Sequence, residues 1–203
     1  MAEKKKAERF VSPKGIASYP YLTNPDTKFN PDGEYKVSLI VAGDDASKAI
    51  DFLTEKHNAA VAQAKKENAG KRVKEGELPC IENDDGTVTF KFKLKAKVIP
   101  KNGDPFEQKP ALFDAKGTPL TGETKVGGGS TIKVSYEIVP YYTAIAGAGV
   151  SLRLKAVQII ELKEYSGGGN AESYGFGEEE GFEAGEDDTP PFDTDEPSAG
   201  GGD

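Results

Sequence analysis

A chain of 203 residues with 36% hydrophobic and 30% charged side chains is too polar to be one packed body from end to end, and points to a folded part diluted by a solvated one. The single Cys80 excludes an intramolecular disulfide, and no apolar run approaches the roughly 18 residues of a membrane span. Met1–Phe10 lacks the apolar core of a signal peptide, so a soluble protein of a reducing cytoplasm with no membrane partner is expected. The charge is divided unevenly. Residues 1–169 hold all 26 Lys and Arg with 22 acidic residues, a net +4, while 170–203 hold 12 acidic residues and no basic one, a net −12. The pI of about 4.9 therefore describes the tail and hides a basic body. Such a body can bind a polyanion, and such a tail can compete with it.

In chain order, Arg9–Tyr21 reads as a first strand, broken near Pro13–Gly15 and stopped at Pro20. Asn24-Pro25-Asp26 and Asn30-Pro31-Asp32-Gly33 are turn signals. Glu34–Val41 alternates: Tyr35, Val37, Leu39 and Val41 share one face, and Glu34, Lys36 and Ser38 the other, as in a half-buried strand. Asp44-Asp45 predicts the cap of a helix over about Ala46–Asn68, ended by Gly70, with Ile50, Leu53, Ala60, Val61 and Ala64 as its apolar stripe. After a polar loop, Leu78–Glu82 and Thr87–Ile99 flank Asp85-Gly86, which predicts a hairpin with a two-residue turn. Residues 100–129 read as a loop region with a short strand near Leu112–Phe113 and a turn at Asp114–Gly117. Ser130–Val139 and Val150–Leu162 are long strands, joined by a flexible connection over Pro140–Gly149.

About five main strands, one inserted helix and no βαβ alternation predict an all-β fold, the five-stranded antiparallel Greek-key OB-fold barrel, with a small β-sandwich as the alternative. Past Gly167-Gly168-Gly169 the chain turns acidic and rich in Gly and Pro, too polar to offset its chain entropy. The expected organisation is a binding domain over 1–169 and a disordered acidic tail over 170–203.

Enzymatic chemistry finds little support. His57 is the sole histidine, has no second ligand at metal-binding spacing, and lies within the predicted helix; Cys80 lacks a Cys partner. Gly127-Gly128-Gly129 is not followed by Lys-Ser/Thr and precedes a strand, so it is no phosphate loop. The acidic groups at 84–85 and 186–188 fall in a turn and a tail, with no dry pocket for acid–base work. Neither a metal nor a cofactor is expected.

Binding finds more. In Val88–Val98, residues Phe90, Phe92, Leu94, Ala96 and Val98 share one face while Lys91, Lys93, Lys95 and Lys97 share the other, about 6.8 Å apart along the strand. One such strand could be a merely solvated or lysine-protected edge. Its repetition points to a surface for phosphates, since Lys133 with Ser135, and Ser151, Arg153 and Lys155, add basic and polar residues on the outward faces of the last two strands. Bases stack on aromatic rings whatever their sequence, and Tyr141 and Tyr142 are the first candidates, with Phe106 and Tyr35 behind them and Tyr35 better placed as core.

The stretch Asn83-Asp-Asp-Gly-Thr-Val-Thr-Phe-Lys-Phe-Lys93, then Gly-Gly-Gly-Ser-Thr-Ile-Lys-Val-Ser-Tyr136 with Val139-Pro140-Tyr141, and Gly-Ala-Gly-Val-Ser-Leu-Arg-Leu154 resemble the T-seven-type bacteriophage single-stranded DNA-binding proteins. Glu34-Tyr-Lys-Val37, the Ala-rich helix and the Gly-Gly-Gly before an acidic tail keep the same order, so the likeness spans most of 9–203. It implies an OB-fold, binding of single-stranded DNA without strong sequence preference, and service in replication, recombination and repair in the host cytoplasm. It also implies strand annealing, and a tail that recruits replication proteins such as a polymerase or primase-helicase; a homodimer stays open. Phe176, Phe182 and Phe192 are the tail's candidate anchors. Tails of this family commonly end in an aromatic residue, whereas this sequence ends Gly-Gly-Gly-Asp203, and Asp188-Thr-Pro-Pro-Phe192 resembles the tip of bacterial single-strand-binding proteins instead. The alternatives are a β-rich virion or assembly protein and an RNA-binding cold-shock-like barrel.

Overall fold

The computed structural model describes residues 8–164 apart from 29, 101, 122 and 123, so the tail over 170–203 and its three phenylalanines lie outside the described residues. In chain order the elements are β1 (Arg9–Val11), β2 (Gly15–Asp26), β3 (Glu34–Val41), α1 (Gly43–Glu67), β4 (Cys80–Glu82), β5 (Val88–Lys95), β6 (Lys97–Val98), β7 (Phe106–Glu107), β8 (Ala111–Phe113), β9 (Thr131–Thr143) and β10 (Gly147–Glu161). Strands β2, β3, β5, β10 and β9 pair in that order, and β9 returns to β2, so five strands close a barrel. Closure removes the sheet edges that an open arrangement would expose. The short strands decorate it: β1 lies on β9, β8 on β10, and β4 on β5, while β6 and β7 form a small ribbon of their own. This is the predicted OB-type barrel, with one difference. The β5–β10 pairing is parallel, because both strands run the same way where the barrel closes.

Alternation builds the interior. Val37 and Leu39 of β3, Phe92 of β5, Ile132 and Val134 of β9, and Leu154 and Val157 of β10 are the sealed centre. Each such side chain contributes roughly 1.5–3 kcal/mol on leaving water. Tyr35 is buried with them, as its pattern required.

The helix lies against β9 and β10 through Ala46, Leu53, His57, Val61 and Ala64. It begins earlier than predicted, at Gly43, so Asp44 and Asp45 sit in its first turn, where they favour the helix dipole, and are not the cap. Phe52 meets Phe10 edge-on at 5.2 Å, Phe10 meets Tyr136 at 5.9 Å, and Tyr136 meets Phe92 at 5.1 Å. These rings run from the helix into the barrel, and burial pushes the Tyr136 hydroxyl's pKa up. Among the described residues no helix is long and apolar enough to cross a membrane, and no three His, Cys, Asp or Glu side chains are grouped to hold a metal ion.

Four local expectations are corrected. Pro20 does not stop the first strand: β2 runs on to Asp26 because a bulge between Ser18 and Tyr21 takes Pro20 off the ladder, where its missing N–H costs nothing. The strand after Asp85-Gly86 bends at Ala96, separating Lys97 from the other three lysines. The hairpin turn is a five-residue loop from Asn83 to Thr87, with Asn83 accepting from Gly86 N–H and donating to Thr87, and Gly86 at φ 78°. Finally, Pro140–Gly149 is no loose connection. β9 extends to Thr143 and β10 starts at Gly147, leaving a turn of residues 144–146.

Candidate nucleic-acid interface

Strand β5 points Phe90, Phe92 and Leu94 into the core, which leaves Lys91, Lys93 and Lys95 exposed. It shares two rungs with β10, Phe92 opposite Leu152 and Lys93 opposite Arg153. A cleft of about 740 Å³ lies over this seam, lined by Lys91, Lys93, Lys95, Ser151, Arg153 and Lys155. Glu77, Leu78 and Pro79 form one part of its wall, and Lys91 N–H donates to Pro79 C=O at 2.9 Å. Val98, Phe106 and Gln108 form another, tied down by Gln108, whose side chain donates to Lys95 C=O at 2.9 Å. The half-exposed Phe106 and the ring of Tyr141 are the cleft's aromatic surfaces.

Register organises the charges further. Lys36 of β3 is the partner of Lys93, Lys93 of Arg153, Arg153 of Glu137, and Glu137 of Arg9. One row thus crosses five strands with four cations and one acid. Cations directly opposite one another repel, and two carboxylates offset this. Glu34 reaches Lys93 at 3.4 Å, and the buried Glu137 stands 3.5 Å from Arg153, 3.7 Å from Arg9 and 3.9 Å from Lys155. At Lys36 the neutralising partner is Asp26, whose carboxyl is held below its ordinary value chiefly by the Lys36 hydrogen bond and then by the Lys28 N–H. Among the described residues no ion pair engages Lys91 or Lys95.

The predicted binding residues therefore separate. Lys91, Lys93, Lys95, Arg153, Lys155 and Tyr141 meet in one cleft. Lys97 is exposed on β6 and outside the cleft lining, because the bend at Ala96 takes it off the ladder. Lys133 pairs with Gln158, two outward rows beyond Glu137 and roughly 14 Å away along β9. The two tyrosines differ. Tyr141 lines both the cleft and a groove of about 630 Å³ against α1, whereas Tyr142, 38% exposed, lines that groove and not the cleft, beside Phe10, Lys56 and Ala60.

Tyr141 is also packed more tightly than a free platform. A Cβ on Gly76 would lie 2.5 Å from its hydroxyl and one on Gly149 3.0 Å, so both glycines make room for this ring. A Cβ on Gly149 would also meet the buried His57 ring at 2.9 Å. His57 Nε2 stands 3.7 Å from a Glu75 oxygen, and its Nδ1 has no hydrogen-bond partner among the described residues. Glu137, Arg9 and Lys36 were not chosen from sequence. Lys36 alone left a signal, its place on the polar face of an alternating strand.

A match to the single-stranded DNA-binding proteins of bacteriophage T7 extends over residues 14–162, which includes every strand of the barrel. The chain belongs to that family. The single-stranded DNA-binding protein of Enterobacteria phage T3 is 34% identical to it over 203 positions, covering 89% of this chain and 88% of that one. The crystal structure of the bacteriophage T7 family member superposes with a TM-score of 0.73 at 33% identity, over 89% of this chain and 100% of that one. A single-stranded DNA-binding protein from bacteriophage Enc34, solved in complex with single-stranded DNA, shares the fold at a TM-score of 0.55 and 13% identity, over 77% and 88%.

Proposed function

We propose that this family member coats single-stranded DNA by laying the phosphate backbone in the β5–β10 cleft, with bases against Phe106 and Tyr141. The observation that carries the reading is the convergence of Lys91, Lys93, Lys95, Arg153 and Lys155 on one cleft with two aromatic rings. Phosphates take the place of Glu34 and Glu137 at cations already gathered, and stacking on a ring ignores base identity, so binding is non-specific. Lys133 and Lys97 add outlying contacts, and Tyr142 belongs to the helix-side groove. The protein serves phage DNA replication, recombination and repair. Residues 170–203 act as an acidic tail that competes weakly for the cleft and, once displaced, recruits a polymerase or primase-helicase through Phe176, Phe182 and Phe192.

Fluorescence anisotropy with labelled single- and double-stranded oligonucleotides tests this. Single strands are preferred, and if about 3–5 phosphates are neutralised the slope of log K against log salt is roughly −2 to −3.5. Preference for duplex, or a slope near zero, removes the cleft reading. Tighter binding of a matched RNA would favour the cold-shock-like alternative instead.

A further inference from the structure

Tyr19 is the one non-glycine among the described residues with positive φ, at 47°, a conformation that bulky L residues seldom adopt. It is also 80% exposed. It occupies the bulge where β2 carries an extra residue between its pairings Ser18–Ser38 and Tyr21–Lys36. Neither the strain nor the exposure of an aromatic ring contributes to folding. Two residues on, Tyr21 is 41% exposed, and Lys36 Nζ lies 4.9 Å from its ring centroid. That contact fixes the ring on one side, and Asp26 holds Lys36 in turn.

Tyr21, Lys36, Lys93 and Arg153 are successive register partners on β2, β3, β5 and β10. Tyr21 therefore continues the cationic row beyond the cleft, three strand spacings or roughly 14 Å from Arg153. We propose that Tyr19 and Tyr21 form a second base-stacking platform, which receives a single strand as it leaves the β5–β10 cleft across β3. The inference rests on the cleft reading above. The ligand class is the unpaired bases of DNA longer than the cleft itself holds. Lys36 supplies a phosphate contact on the way, and the bulge of β2 lifts Tyr19 to where a base can reach it.

The test uses the full chain and oligothymidylates of roughly 6 and roughly 16 nucleotides, within the range a single OB-type barrel covers. Tyr19→Gly and Tyr21→Ala should each bind the longer oligonucleotide about 5- to 50-fold more weakly, bind the shorter one as wild type does, and keep the wild-type salt slope. Tyr21→Phe should restore binding, since stacking needs the ring and not the hydroxyl. Tyr19→Gly suits the positive φ, so its Tm should equal or exceed wild type. Lys93→Ala, as the cleft reference, should weaken both lengths and flatten the slope by about 0.7. Wild-type affinity of both tyrosine variants for the longer strand, with Lys93→Ala weakened, overturns the platform and leaves the cleft. The reverse pattern overturns the cleft. A tyrosine effect equal on both lengths, or matched by a loss of salt slope or by a lower Tm of Tyr19→Gly, also overturns the platform.

Discussion

Glu137 is an acid at the centre of the surface proposed to meet DNA. It is 7% exposed, and three cations from β1 and β10 lean on it, so it holds Arg9, Arg153 and Lys155 in place and, on that reading, would reduce their pull on phosphates. Glu137→Gln keeps the shape and removes the counter-charge. Single-strand affinity at low salt is expected to rise several-fold, with the salt slope steeper by about 0.7 for each further phosphate neutralised. Stability should fall, because the cations then face one another; they are part-exposed, so the loss is nearer about 1 kcal/mol than the 3–5 of a sealed pair. Anisotropy at several salt concentrations and a thermal melt measure both. An unchanged slope would mean the three cations do not meet DNA. Cys80 is a quieter residue: burial, with Glu82 beside it, pushes its thiol up and away from the reactive thiolate.

The end of the β9–β10 hairpin decides how the tyrosines behave. Lys74 C=O accepts from Ala148 N–H and Gly76 N–H donates to Ala148 C=O, each at 2.8 Å, so the loop after α1 is stitched to β10 beside Tyr141. The Tyr141 hydroxyl end packs against Gly76 and Gly149, which makes this ring part of the hairpin's packing as well as a cleft surface. Gly149→Ala would set a methyl against both Tyr141 and His57, and overpacking of this kind costs about 1–3 kcal/mol. Tm is therefore expected to fall, and single-strand affinity with it, as Tyr141 is displaced. Tyr142→Ala, on the helix-side groove, should change neither folding stability nor single-strand binding free energy by more than a few tenths of a kcal/mol. Wild-type Tm for Gly149→Ala would contradict the packing, and a large affinity loss for Tyr142→Ala would return that residue to the DNA path.

For the whole molecule the uneven charge is the controlling feature, +4 in 1–169 against −12 in 170–203. On the proposed reading, twelve carboxylates on the same chain act at a local concentration on the order of a millimolar, enough to compete with a weak phosphate site but not with a stacked strand. A chain ending at Gly169 is expected to bind single strands several-fold more tightly at low salt, with the advantage shrinking as salt screens the competition. Titration of both chains at two ionic strengths decides it. Equal low-salt affinity would leave the tail no competitive role and only recruitment. On the proposed reading the strand's binding and the partner's recruitment are linked because tail and strand compete for one site, so no change of fold is needed.

Local chemistry was legible where one residue type settles one conformation. Period-two alternation announced β3 and β5 and put Tyr35, Phe90 and Phe92 inside. Strand ends were less legible, since whether Pro20 ends a strand depends on a bulge against β3, and whether Pro140–Gly149 is loop or ladder depends on the loop after α1 stitched to its edge. Lys91, Lys93 and Lys95 could be read as a ladder because they are two apart on one strand. The row from Tyr21 through Lys36, Lys93 and Arg153 to Glu137 and Arg9 could not, because its members lie far apart in sequence and meet only through the register of six strands. The sequence by itself therefore determined which faces were apolar and which charged. Only closure of the barrel decided which charges stand side by side, because adjacency across strands is set by pairing and not by spacing along the chain.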